Sequence, residues 1–177
     1  MRTITTNIYT FDELPHLAQA RAIQDYRLNG LDIDYDCTIE DAKTIGVLAG
    51  IAIDEVYFSG FWSQGDGACF SGSFEPMSDA LQKVKLHAPM DAELHDIVSD
   101  IAALDMGATI THSGHYMHSG CMDIDTDSEL DYQPLRWFAD WVYGRLRDTY
   151  DYCTSDEYIS ESIRANGLEF TFTGDPK

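Results

Sequence analysis

His112, His115 and His118, followed by Cys121, recur at every third position, and imidazole and thiolate are good zinc ligands. On an extended strand, residues three apart point to opposite faces, so His115 joins the other histidines only where the turn redirects it. The candidate metal set is therefore His112, His118 and Cys121, weighed against a polar hairpin whose histidines are half exposed. A second row, Asp123, Asp125, Asp127, Glu129 and Asp131, opens like a calcium loop. It departs from that pattern at the sixth position, Ser128 instead of Gly, and at the twelfth, Pro134 instead of Glu. If the segment is a strand, alternation puts all five carboxylates on one face at a spacing of about 6.6 Å, comparable to the phosphate separation along one nucleic-acid strand. That face suits a basic protein partner, and the competing reading is a charged edge that blocks sheet-to-sheet pairing.

A third segment, Phe61 to Ala68, sets large aromatics beside a glycine-flexed polar loop, the composition of a place where backbone approaches a ligand closely. Trp62, Gln64 and Asp66 are candidate ligand-binding residues there, with Tyr116 from a similar segment further on. The loop lacks the Lys and Ser/Thr of a phosphate loop. There is no G-x-S-x-G, no H-E-x-x-H and no cysteine in an obviously electropositive setting. No catalytic residue is assigned, no cofactor is implied, and a non-enzymatic role is expected.

The elements that must position these residues follow from periodicity and punctuation. Residues 3–10 read as a strand, and Asp12 caps a helix to about Leu28 with Pro15 in its first turn. A second helix runs from Thr38 to about Gly50 and is expected to pair with the first as a hairpin. Val56-Tyr57-Phe58 and Cys69-Phe70 flank the Ser63–Gly67 turn as two strands. A short helix spans Ser78 to about Leu86. A clearer one carries Leu94, Ile97, Val98, Ile101 and Leu104 at helical spacing, capped by Asp91 and ended by Gly107. Residues 108–126 return to β structure, with Ala108 to Thr111 entering and Cys121 to Asp125 leaving. Leu135, Phe138, Ala139, Val142 and Leu146 define a further helix, in which Trp137 and Trp141 lie on a different stripe; a helix apolar on most sides is either deeply buried or part of an interface. Ser155–Ala165 is helical and Leu168–Thr173 is a closing strand. Ser59-Gly60-Phe61-Trp62 aligns with Ser113-Gly114-His115-Tyr116, which suggests an internal duplication of a helix-and-hairpin unit. The sum is an α+β fold, a mostly antiparallel sheet with helices packed on one face.

At 177 residues the chain suits a single domain, residues 1–177, and 44% hydrophobic content separates it from disordered acidic tails. Its net charge of -20 excludes direct binding to nucleic acid or anionic lipid, which needs a basic footprint. Between Lys85 and Arg136 there are ten acids and no Lys or Arg. Such a run serves solubility or a basic partner. Four scattered cysteines without a C-x-x-C pair, and an opening without a signal peptide, point to reduced thiols in a cytoplasm; no apolar run reaches the length of a membrane span.

The opening Ile8-Tyr9-Thr10-Phe11-Asp12-Glu13-Leu14, the alanines 18, 20 and 22, Asp34-Tyr35-Asp36, Thr38 to Gly46 and Tyr57 to Phe70 resemble a group of small acidic bacteriophage proteins. Members are loosely labelled antitoxin-like, and the resemblance covers about residues 7–75. It implies a phage or prophage origin and expression in the cytoplasm of a host bacterium, with no catalytic residue set attached. Charge and resemblance together predict an anti-defence inhibitor or sequestering protein that binds a basic, nucleic-acid-binding host protein. The alternatives are a small-ligand or nucleotide site at the Trp62 and Tyr116 loops, and a metal-dependent enzyme at the histidine hairpin.

Overall fold

Pro15 divides the first expected helix. Leu14 before it is held extended, at φ -74° and ψ 143°, as the proline ring demands. Phe11–Glu13 therefore forms a separate 3-10 turn, closed by a capping box between Thr10 and Glu13, and the α-helix starts only at His16. In a computed structural model describing residues 7–177, the chain order is β1 (Tyr9–Thr10), α1 (His16–Asn29), α2 (Asp36–Leu48), β2 (Ile51–Phe58), β3 (Ala68–Phe74), α3 (Ala80–His87), α4 (Ala92–Ile101), β4 (Ala108–His112), β5 (Met122–Asp125), α5 (Gln133–Cys153), α6 (Asp156–Ala165) and β6 (Glu169–Phe170). Residues 3–6 of the expected first strand lie outside the described residues. The fold is α+β.

The chain divides into two compact units, and each closes its own apolar cluster. One unit joins the described N-terminal residues up to Asp34 with Asp148–Lys177. Its two-stranded ladder pairs Tyr9 with Phe170 and Thr10 with Glu169, so the expected closing strand is only two residues long. Phe11, Leu14, Ala18 and Ala22 pack with Ile159, Ile163 and Phe170. Arg27 binds the Thr154 carbonyl and the Asp156 carboxylate, and Arg164 binds Asp12 at 2.9 Å while lying over the Phe11 ring.

The second unit, Tyr35–Arg147, holds the antiparallel sheet in the order β2-β3-β4-β5. Burial alternates along β4 and β5: Ala108, Ile110 and Met122 face the core, while Thr109, Thr111, Asp123 and Asp125 face outward. One face is thus covered by the helices, whose core residues include Ile45, Leu94, Ile101, Leu135, Phe138 and Val142. The two helices expected to pair as a hairpin belong to different units: α1 packs on α6 and α2 packs on β2. A bulge at Asp54 shifts the β2–β3 register between Ile53 and Glu55. Opposite it, Gly72 has a φ of +155°, and a Cβ there would stand 1.9 Å from the Ala52 carbonyl oxygen. Only glycine fits.

Both hairpin loops close in the same way. Ser59 N–H donates to the Gly67 carbonyl at 3.1 Å, and Ser113 N–H donates to the Cys121 carbonyl at 2.9 Å. Each bond spans eight residues, and the two serines are the ones that the internal similarity aligns. No helix among the described residues is long and apolar enough to cross a membrane.

Candidate binding surfaces

At one end of the sheet the β2–β3 and β4–β5 loops meet. A Cβ on Gly65 would touch the Tyr116 ring at 3.4 Å, and one on Gly67 would collide with His118 at 2.6 Å. Asp66 organises the first loop by accepting bonds from Trp62 N–H at 2.9 Å and Ser63 N–H at 2.6 Å. Phe61 stacks on Tyr143, whose hydroxyl donates to the Gly60 carbonyl. Burial, and then the nearby Asp66 carboxylate, push the Tyr143 phenol above its ordinary value. This packing leaves Trp62 and Tyr116 largely exposed, at 71% and 59%. Of the four residues read as a ligand site, Asp66 holds the loop together, whereas Trp62, Tyr116 and the exposed Gln64 present surface.

The histidine row does not assemble as a metal site. His112 is engaged by the Tyr116 carbonyl at 3.0 Å and stacks on Tyr57, with ring centroids 4.7 Å apart. His118 accepts from Gly120 N–H through Nδ1 and lies 3.7 Å from the Cys121 thiol through Nε2. The third-residue spacing brings His118 and Cys121 together because Ser119–Cys121 is a 3-10 turn and not strand. Among the described residues, no group of three or more His, Cys, Asp or Glu side chains has metal-holding geometry.

The acidic row is exposed throughout, but it is not one strand face. β5 ends at Asp125, so only Asp123 and Asp125 stand on the sheet. Beyond it the Thr126 hydroxyl donates to the Gly107 carbonyl and accepts from Ser128 N–H, and the Ser128 hydroxyl in turn accepts from Leu130 N–H. These serine and threonine turns compete with strand geometry and redirect Asp127, Glu129 and Asp131. Asp131 accepts from Gln133 N–H at 3.0 Å at the start of α5. Because Ser73, Thr109 and Asp125 are neighbours across β3, β4 and β5, they line, with Glu75 and Asp127, a hollow of about 270 Å³. The sequence reading missed Glu75, which lies fifty residues from Asp125 and comes beside it only through the β3–β4–β5 register.

A third surface lies between α4 and α5, where Glu93, Asp96, Asp100, Trp137, Asp140 and Trp141 line a hollow of about 500 Å³. A neighbouring hollow of about 440 Å³ shares Asp100 and Trp137 and continues to Leu104, Leu130 and Pro134. The signal in the sequence was the unplaced tryptophan stripe of α5. Trp141 is buried and donates its indole N–H to Asp91 at 3.0 Å, while Trp137 stays 42% exposed.

The family described as Domain of unknown function (DUF8835) matches residues 35–156. The chain belongs to that family. The DUF8835 match begins at Tyr35, where the second compact unit also begins, and it takes in the whole sheet, both hairpin loops, the acidic edge and the α4–α5 groove. All three surfaces therefore lie in the DUF8835 segment. Comparison with curated proteins and with solved structures returns no match.

Proposed function

We propose that this chain is a non-enzymatic inhibitor or sequestering protein, whose acidic edge occupies the basic, nucleic-acid-binding surface of another protein. One observation carries the reading: Asp123 and Asp125 on the edge strand and Asp127 and Glu129 in the turns that follow it are all exposed, and among the described residues none of these four carboxylates has an ion-pair or hydrogen-bond partner. A surface rich in unpaired carboxylates steers cationic partners and repels polyanions. With the resemblance to phage proteins, the partner is a host defence or toxin protein and the setting is a bacterial cytoplasm. The test is a tagged pull-down from bacterial lysate at low and high salt. The parent is compared with a variant replacing Asp123, Asp125, Asp127 and Asp131 by Asn and Glu129 by Gln. Each exposed pair contributes only about 0.2–1 kcal/mol, so single substitutions hardly register, while the fivefold variant loses its partner. Nucleic acid added to the parent complex competes for the same surface. Undiminished capture by the variant at low salt overturns the reading.

The meeting of the two loops favours a second reading, a small-ligand site at Trp62, Gln64 and Tyr116. It predicts a change in tryptophan fluorescence on nucleotide addition that Trp62→Ala abolishes; a flat titration removes it.

A further inference from the structure

The groove between α4 and α5 joins two chemistries that rarely share one surface without an occupant. Its first half is acidic: Glu93, Asp96 and Asp100 stand on one stripe of α4 and Asp140 faces them from α5. Among the described residues none of the four has an ion-pair partner. Its second half is largely apolar, lined by Ala103, Leu104, Leu130 and Pro134, with Asp131 and Gln133 at its side. Trp137 and Asp100 belong to both halves.

A solubilising surface explains the carboxylates but not the indole held among them. Exposed tryptophan is the residue that protein interfaces concentrate and solvent-facing helices avoid. The charges are also placed against the helix. Asp96 and Asp100 are like charges four residues apart, and Asp100 sits in a last turn that contains no basic residue. The fold already uses the pairing this surface offers, since the Arg145 guanidinium lies 5.7 Å from the centre of the Trp141 ring.

We propose that the α4–α5 groove docks a segment of a partner protein in which arginine adjoins aliphatic side chains. Charge complementarity selects a cationic occupant. Arginine fits better than lysine, because the guanidinium plane stacks on indole and bonds a carboxylate through two N–H groups at once. The apolar half selects a segment that also brings leucine-like side chains, which a small free cation does not. The proposal does not rest on the β5 edge: the acidic half shares no residue with it, and of the acidic row Asp131 alone lines the apolar half.

The test uses the full chain and a dye-labelled synthetic peptide of arginine and leucine, read by fluorescence anisotropy at low salt. A peptide with serine in place of leucine serves as the equal-charge control. Trp137→Ala weakens binding of the arginine–leucine peptide about tenfold or more. The variant D96N/D100N/D140N weakens it comparably, whereas D123N/D125N/D127N, with the same change in net charge, changes it less than about twofold. Both triple variants alter exposed carboxylates only, so they report even where Trp137→Ala disturbs α5. Equal loss in the two triple variants assigns the binding to general charge and overturns the proposal. So does equal affinity for the serine peptide, or parental affinity in Trp137→Ala when circular dichroism shows it folded. Failure of the β5-edge reading leaves all of these outcomes unchanged.

Discussion

Cys69 stands opposite Tyr57 in the β2–β3 ladder with none of its surface exposed. Burial, and then the neighbouring Cys121, push its thiol up to about 11, so it stays protonated and unreactive at neutral pH. Cys37 is exposed, and Cys121 and Cys153 are half-buried. Labelling with a disulfide reagent in native buffer should therefore modify Cys37 first and Cys69 only after denaturant is added. Rapid modification of Cys69 in the folded protein would show that the end of the sheet opens. Two carboxylates carry a pH prediction of the opposite sign. Glu13 is held below its ordinary value by bonds from the Thr10 N–H and hydroxyl, and Asp175 chiefly by the Thr173 hydroxyl, with Arg21 adding to it. Their contribution is complete above the ordinary carboxylate range, about 4, and is lost as pH falls through the lowered folded-state values. Thermal melts between about pH 5 and pH 3 should fall less steeply for the pair Glu13→Gln and Asp175→Asn than for the parent. Parallel curves would contradict it.

At the scale of elements the β2–β3 pair depends on one glycine. The bulge at Asp54 draws the Ala52 carbonyl so close to Gly72 that any side chain strikes backbone, which cannot swing aside as a flexible side chain can. Gly72→Ala is expected to destabilise the unit by about 1–3 kcal/mol, the range of strained-backbone and overpacking substitutions, as read by denaturant unfolding. A loss under about 0.5 kcal/mol would mean that the bulge relocates. Helix boundaries follow similar local rules. Asp91 caps α4 by accepting from Leu94 N–H, and Ser155 caps α6 by accepting from Tyr158 N–H. Both starts were legible in the sequence, as was the buried stripe of α5. So was the end of β5 at Asp125; the course of Asp127, Glu129 and Asp131 was not, because alternating Asp residues look alike in a strand and in the Thr126 and Ser128 turns.

For the whole molecule the governing quantity is a net charge of -20. Self-repulsion on that scale opposes compaction, and salt screens it, with a screening length that falls from about 10 Å at 0.1 M to about 3 Å at 1 M. The midpoint of thermal unfolding should rise with sodium chloride over this range. A fall would mean that exposed pairs such as Arg164 with Asp12 outweigh the repulsion. The length of the chain argued for one core, but the described residues form two clusters, each closed by contacts between segments distant in sequence: α1 with α6, and the sheet with α2 to α5.

Composition, periodicity and turn chemistry by themselves determined the α+β class, the positions of α4, α5 and α6, both hairpins and the strong acidity, because each is set by residues within one or two turns of each other. The tertiary structure alone decided which of those residues meet. It turned His112 to Tyr57, separated Asp127, Glu129 and Asp131 from the β5 face, placed Glu75 beside Asp125, and brought the acidic stripe of α4 to Trp137. Those encounters depend on strand register and helix packing across forty or more residues, and no local pattern encodes them.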